Sequence, residues 1–216
     1  MGYLSSMKIV VGGRGSPLSK VQVEEVEAEI KKFNPQVVFA PLWITTYGDK
    51  DRTTSLKSLD KTDFFTREID EALKKGECRI GIHSAKDLPD PLPKGLVVVA
   101  FTKGLDSSDS LVVREGKTLK KVATSSARRE KTVKELWPDV ECVDIRGNID
   151  ERLRQLDEGI VDGVIVAECA LIRLKLTHRT RIPLPGETAP GQGQLAVVAR
   201  VGDAEMAELF SAIDSR

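Results

Sequence analysis

The chain has 216 residues, enough for one large domain or two of about a hundred residues each. With 40% hydrophobic and 31% charged residues it has the composition of an ordinary globular protein, which excludes a disordered or membrane-embedded polypeptide. Thirty-three basic residues balance thirty-three acidic ones, so no overall field draws the molecule toward nucleic acid or lipid, and any anion site must be local.

Lys8–Val11 is a short β-branched run followed by Gly-Gly-Arg-Gly-Ser-Pro and an amphipathic stretch from Leu18 to Phe33. This order predicts strand, glycine turn and helix, with Ser16 as N-cap and Pro17 at the first helical position. A strand is expected at 37–45, then a polar loop from Gly48 to Asp63, a helix at about 64–75, and strands at 79–83 and 96–101. After Lys103 the alternation begins again. Strands are expected at about 110–114, 121–124, 140–145 and 161–167, with helices at 127–137, 148–158 and 168–176. A proline- and glycine-rich segment, Pro183 to Gly193, precedes an apolar run at 195–201 and a last helix at 203–213. Such alternation favours mostly parallel sheets, with functional loops at the carboxyl ends of the strands.

The three cysteines, Cys78, Cys142 and Cys169, form neither a Cys-x-x-Cys pair nor a zinc-like spacing. They predict reduced thiols in a cytosol and no metal site, each thiol serving as a small buried hydrophobe. No leader-like stretch follows Met1 and no apolar run approaches membrane-spanning length, so a cytoplasmic protein is expected.

Arginines recur near the expected strand ends: Arg14, the pair Arg128 and Arg129, and Arg146. A guanidinium fork grips both oxygens of a carboxylate, and helix-start N–H groups add donors, so several such sites together suggest binding of a polyanion. Any single one reads first as a solvated helix-end charge. Asp87 lies in His83-Ser84-Ala85-Lys86-Asp87-Leu88-Pro89, between a strand end and a proline turn. From spacing alone it is acid, base, cation stabiliser or simply a turn residue.

Six segments, in order, resemble the porphobilinogen deaminase family. They are Gly13–Leu18, Thr46-Tyr47-Gly48-Asp49, His83–Pro89, Thr124–Arg129, Arg146-Gly147-Asn148 with Arg152, and Pro190–Ala196. The resemblance covers almost the whole chain. It implies an α/β fold of two domains like those of periplasmic binding proteins, with a cleft between them. The first domain would be discontinuous, 1–102 plus 191–216, and the second would span 103–190.

The implied activity is head-to-tail polymerisation of four porphobilinogens to hydroxymethylbilane with loss of ammonia, by a monomeric transferase of tetrapyrrole and heme biosynthesis. Asp87 takes the position that assists ammonia loss and stabilises the pyrrole cation. Arg14, Arg128, Arg129, Arg146, Arg152 and Arg173 take positions that bind acetate and propionate side chains, with Ser16, Lys86, Ser126 and Asn148 as supporting donors. Lys57 or Lys61 would serve a lid loop.

The implied partners are porphobilinogen and polypyrrole intermediates, with neither nucleic acid nor membrane. The family's dipyrromethane cofactor sits on a loop cysteine of a third small domain, which would fall beyond Arg216, and none of the three cysteines matches that position. Two other readings are a catalytically silent pyrrole-binding homologue or fragment, and a solute-binding protein for a small carboxylate. The His83–Pro89 block argues against the latter.

Overall fold

The computed structural model describes residues 6–51, 53–54 and 62–216. The expected lid lysines, Lys57 and Lys61, lie outside the described residues. The chain divides into two compact units: Met1–Lys50 with Lys61–Leu105 and Gly193–Arg216, and Asp51–Asp60 with Asp106–Gln192.

In the first unit the β-branched run centres strand β1 (Met7–Arg14), which pairs in parallel with β2 (Val37–Ile44) and β3 (Ile80–Ser84). Strand β10 (Leu195–Arg200) runs antiparallel to β3 and to β4 (Leu96–Phe101), giving the order β2-β1-β3-β10-β4. Ser16 caps α1 (Pro17–Lys31): its hydroxyl accepts the Ser19 N–H at 3.3 Å, with Pro17 in the first turn. Val23, Val26 and Ile30 of α1, with Met206 and Phe210 of α7 (Ala204–Ser211), pack on Ile9, Val11, Ile82 and Val197. Ile69, Ala72 and Leu73 of α3 (Arg67–Lys75) pack on Ala196 and Val198 of the opposite face. Because side chains alternate across a strand, β10 feeds both layers.

In the second unit β6 (Lys121–Ala123) pairs in parallel with β7 (Glu141–Val143) and β8 (Gly163–Ala167). Strand β5 (Asp109–Val113) is antiparallel to β8 and to β9 (Arg181–Leu184), giving β7-β6-β8-β5-β9. The helices are α4 (Ala127–Leu136), α5 (Ile149–Asp157) and α6 (Glu168–Arg173). Leu153 and Leu156 of α5 and Leu171 of α6 join one core cluster; Val133 of α4 joins the other.

The two sheets share one wiring, and it modifies the mostly parallel expectation. Each has three parallel neighbours and one antiparallel strand, β10 or β5, between the third and the edge. Those antiparallel strands are the first ones formed after the passages between units at residues 105–106 and 192–193. Leu195 pairs with Ser84 and Asp109 with Ala167, so each begins beside the carboxyl end of a parallel strand and must run back against it.

Other differences are local. The helix expected from 64 starts at Arg67, because Phe64–Thr66 form a turn, and a short helix α2 (Tyr47–Lys50) opens the expected polar loop. The helix expected to 176 ends at Arg173, and Lys175 takes a left-handed φ of 57°. Strand β9 was not expected from the sequence. Cys142 is half-buried rather than buried, on the edge strand β7. At the crossing, Gly191 and Gly193 have φ of 75° and 94°, open chiefly to glycine, and Leu105 donates its N–H to the Gly193 carbonyl at 3.1 Å.

Candidate active site

In each unit the strand order places β1 beside β3, or β6 beside β8, while the strand between them in sequence, β2 or β7, lies on the outer side. In sheets of this wiring, ligands gather at that switch point, outside the carboxyl ends of the strands. Most of the residues singled out in the sequence fall there.

In the first unit, Arg14 ends β1 and Asp87 ends a single 3-10 turn, Ala85–Asp87, that follows β3. Both line one pocket with Ser16, Gln22, Phe65, Thr66, His83 and Ser84. Arg14 is held from two sides. Its Nε donates to Asp49 Oδ1 at 3.1 Å, its Nη2 pairs with the same oxygen, and its guanidinium lies 4.4 Å from the Phe65 ring centroid. Asp49 in turn accepts from the Thr46 N–H at 3.0 Å and the Thr46 hydroxyl at 2.8 Å. Burial pushes the Asp49 carboxyl up, but Arg14 and Thr46 outweigh it and hold it below its ordinary range. Asp49 is therefore ionised at neutral pH and orients the Arg14 guanidinium. Lys86, half-buried, belongs to the same turn as Asp87.

His83 also lines this pocket. It is 5% exposed, and Nε2 lacks a hydrogen-bond partner among the described residues. Burial, and then the charge of Arg14, push its pKa down to about 4, so the imidazole is neutral at pH 7. Gly81 makes room for it: a Cβ there would stand 3.1 Å from Nε2. Gln22 of α1, also buried, donates to the Ser84 hydroxyl at 2.9 Å and fixes the strand end from the helix side.

In the second unit, Ser126 caps α4 by accepting the Arg129 N–H at 3.4 Å, which puts Arg128 and Arg129 in the first helical turn. Both guanidiniums converge on Asp109, the first residue of β5. Arg129 donates from Nε at 3.1 Å and Nη2 at 2.7 Å to Oδ1, and Arg128 Nη2 lies 2.8 Å from Oδ2. Gln192 Nε2 donates to Oδ1 at 2.8 Å. Burial raises the Asp109 pKa, but the arginines and Gln192 prevail and leave it lowered.

Arg146 follows β7, and its Nη2 donates to the Asp51 carbonyl at 2.6 Å. The side-chain oxygen of Asn148 caps α5, in a capping box with Glu151 at 2.9 and 2.7 Å. Arg152 Nε donates to the Gly147 carbonyl at 2.8 Å, and Arg173 is buried at the end of α6. Asn148 and Arg152 thus organise their own loop. Sequence reasoning singled out Arg14, Asp87, Ser126 and the arginine pair, but missed Asp109, Phe65 and Gln22. Among the described residues, no group of three or more His, Cys, Asp or Glu could hold a metal ion, and no helix is long and apolar enough to cross a membrane.

Residues 9–208 match the family model described as "Porphobilinogen deaminase, dipyromethane cofactor binding domain". The chain is 36% identical to the porphobilinogen deaminase of Chlorobaculum parvum over 96% of its length and 69% of the relative's. It is 38% identical to that of Desulforudis audaxviator, over 96% and 70%. Among solved structures, a probable amino-acid ABC transporter extracellular-binding protein from Bacillus subtilis superposes with a TM-score of 0.55 at 14% identity, covering 96% of this chain and 90% of that one. An amino acid ABC transporter substrate-binding protein from Streptococcus pneumoniae, bound to L-arginine, gives 0.53 at 14% identity, covering 95% and 86%. At such identities these two establish the fold alone, two α/β units of the periplasmic-binding-protein kind.

Proposed function

The chain belongs to the porphobilinogen deaminase family, a family of transferases, and from that membership we propose that it joins four porphobilinogens head to tail, releasing ammonia at each addition, and that one water then adds to the terminal methylene and frees the chain as hydroxymethylbilane. The observation that carries the reading to particular residues is Asp87 lining one pocket with Arg14 at the β1/β3 switch point.

Each porphobilinogen has an aminomethyl group, an acetate and a propionate. Arg14, with Ser16 in the same pocket and Lys86 in the turn of Asp87, receives carboxylates in the first unit; Arg128, Arg129, Ser126, Arg146, Asn148, Arg152 and Arg173 are the corresponding set in the second. Loss of ammonia leaves a methylene conjugated to a positively charged pyrrole, and the Asp87 carboxylate is the anion available to stabilise it. Asp87 also accepts the pyrrole N–H that acidifies as this charge develops. His83, buried and neutral in the same pocket, adds no positive charge against that cation.

The donor set fits the carboxylates of a dipyrromethane, since Arg128 and Arg129 outnumber the single Asp109 between them. When bound, that group supplies a terminal pyrrole with a free α-carbon to accept the next unit. The thiols fit its attachment less well. Cys78 and Cys169 are buried, and burial pushes the Cys78 thiol up to about 11. Further elements of the proposal are a cytoplasmic monomer with no nucleic-acid or membrane partner, and a lid role for Lys57 or Lys61.

Asp87→Ala is expected to lower porphobilinogen consumption by at least about a hundredfold, the usual size of one electrostatic or acid–base contribution. Arg128→Ala with Arg129→Ala is expected to weaken pyrrole binding. Consumption unchanged by Asp87→Ala would remove the assignment of Asp87. Binding unchanged in the double variant would remove that of the arginines.

A further inference from the structure

We infer that Asp109 is a positioning residue that sets Arg128 and Arg129 side by side as a paired guanidinium cradle for substrate carboxylates; the inference rests on the function proposed above. Both arginines occupy the first turn of α4, where the helix dipole disfavours cations, so helix stability gives no reason for them to be there. Asp109 supplies that reason. Its side chain is 4% exposed, and its two oxygens are saturated by Arg129, Arg128 and Gln192.

The charge count makes this more than neutralisation. One carboxylate faces two guanidiniums, leaving a formal positive charge in the cluster for an anionic ligand to complete. The two arginines are not equivalent. Arg129 is recessed, 12% exposed, with Nη1 3.5 Å from the Ile165 carbonyl, whereas Arg128 is 34% exposed. Asp109 thus anchors an inner arginine and holds the outer one at its side. Asp109 is itself fixed: it opens β5 opposite Ala167 and Leu184, and Gln192 Nε2 also donates to the Ser107 carbonyl at 2.6 Å. A carboxylate placed rigidly by three segments holds the forks before the ligand arrives, which lowers the ordering cost of binding.

The test titrates porphobilinogen into the full chain carrying Asp87→Ala, so that the ligand is not consumed. Adding Asp109→Asn is expected to weaken binding about tenfold, the low end of what one hydrogen bond to a charged group contributes. On a background of Arg128→Ala and Arg129→Ala, the same substitution is expected to cost less than about twofold, because residues acting through one another are non-additive. A role confined to stability would give equal losses on both backgrounds, and that result overturns the inference.

A second readout needs no ligand. In the wild-type chain the Nε–H of Arg129 is expected to exchange slowly with solvent by nitrogen-15 NMR, and in Asp109→Asn rapidly; unchanged exchange overturns the inference. Were porphobilinogen to bind no form of the chain while exchange responded as expected, the proposed function would fall and the positioning role would stand.

Discussion

Asp70, on α3, is 2% exposed and accepts the Thr66 hydroxyl at 2.8 Å through Oδ2, while Oδ1 has no partner among the described residues. Burial pushes its pKa up from 3.8 to about 6, against the opposing pull of Thr66 and Lys74. Because the folded chain holds this proton more tightly than the unfolded one, the destabilising contribution is absent below pH 3.8. It grows through the interval and is full above about pH 6. Asp70→Asn is therefore expected to raise the thermal midpoint at about pH 8, by a stability gain on the order of 2 kcal/mol, and to change little near pH 4. A midpoint gain of equal size at both pH values would refute the burial argument. At this scale the sequence disclosed residues whose partners are near in the chain, such as Ser16 capping Ser19. Asp109 stayed hidden because its partners, Arg129 and Gln192, are 20 and 83 positions away.

Between elements, the junction of α2 with the Phe64–Thr66 turn governs how Arg14 is held. Gly48 sits under two rings: a Cβ there would come within 2.4 Å of Phe65 and 2.8 Å of Phe64. Phe64 and Phe65 pack edge to face at 5.1 Å, and Phe65 carries the Arg14 guanidinium, so the cluster has no slack to absorb a methyl group. Gly48→Ala is expected to cost about 1–3 kcal/mol of stability and to weaken porphobilinogen binding by releasing Arg14 from Phe65. Chemical denaturation and titration of the variant check both, and unaltered binding would separate the ring stack from the site. Thr46–Asp49 was visible in the sequence as a motif, yet its mechanical role was not, since a polar run does not reveal which ring its glycine will meet. Strand β9 escaped prediction for a simpler reason. Arg-Ile-Pro-Leu is short and carries Pro183, tolerable only because β9 is an edge strand paired with β5 alone.

For the molecule as a whole, the α/β class was readable because strands and helices alternate with the right periods, and the arginines fell at strand ends because the wiring puts loops there. The antiparallel placement of β5 and β10 was not readable, because periodicity is local while these strands are placed by where the chain passes between units. The glycines at 191 and 193 marked the crossing without revealing its direction. The central claim is chemical: the whole chain converts porphobilinogen rather than merely holding it. Its most direct test is to incubate the purified protein with porphobilinogen and quantify ammonia while identifying the product by mass. The account expects hydroxymethylbilane with four ammonia molecules released per product, both suppressed by Asp87→Ala. Porphobilinogen that binds but is recovered unchanged, with no ammonia released, would contradict it and mark the chain as a silent pyrrole-binding member of its family.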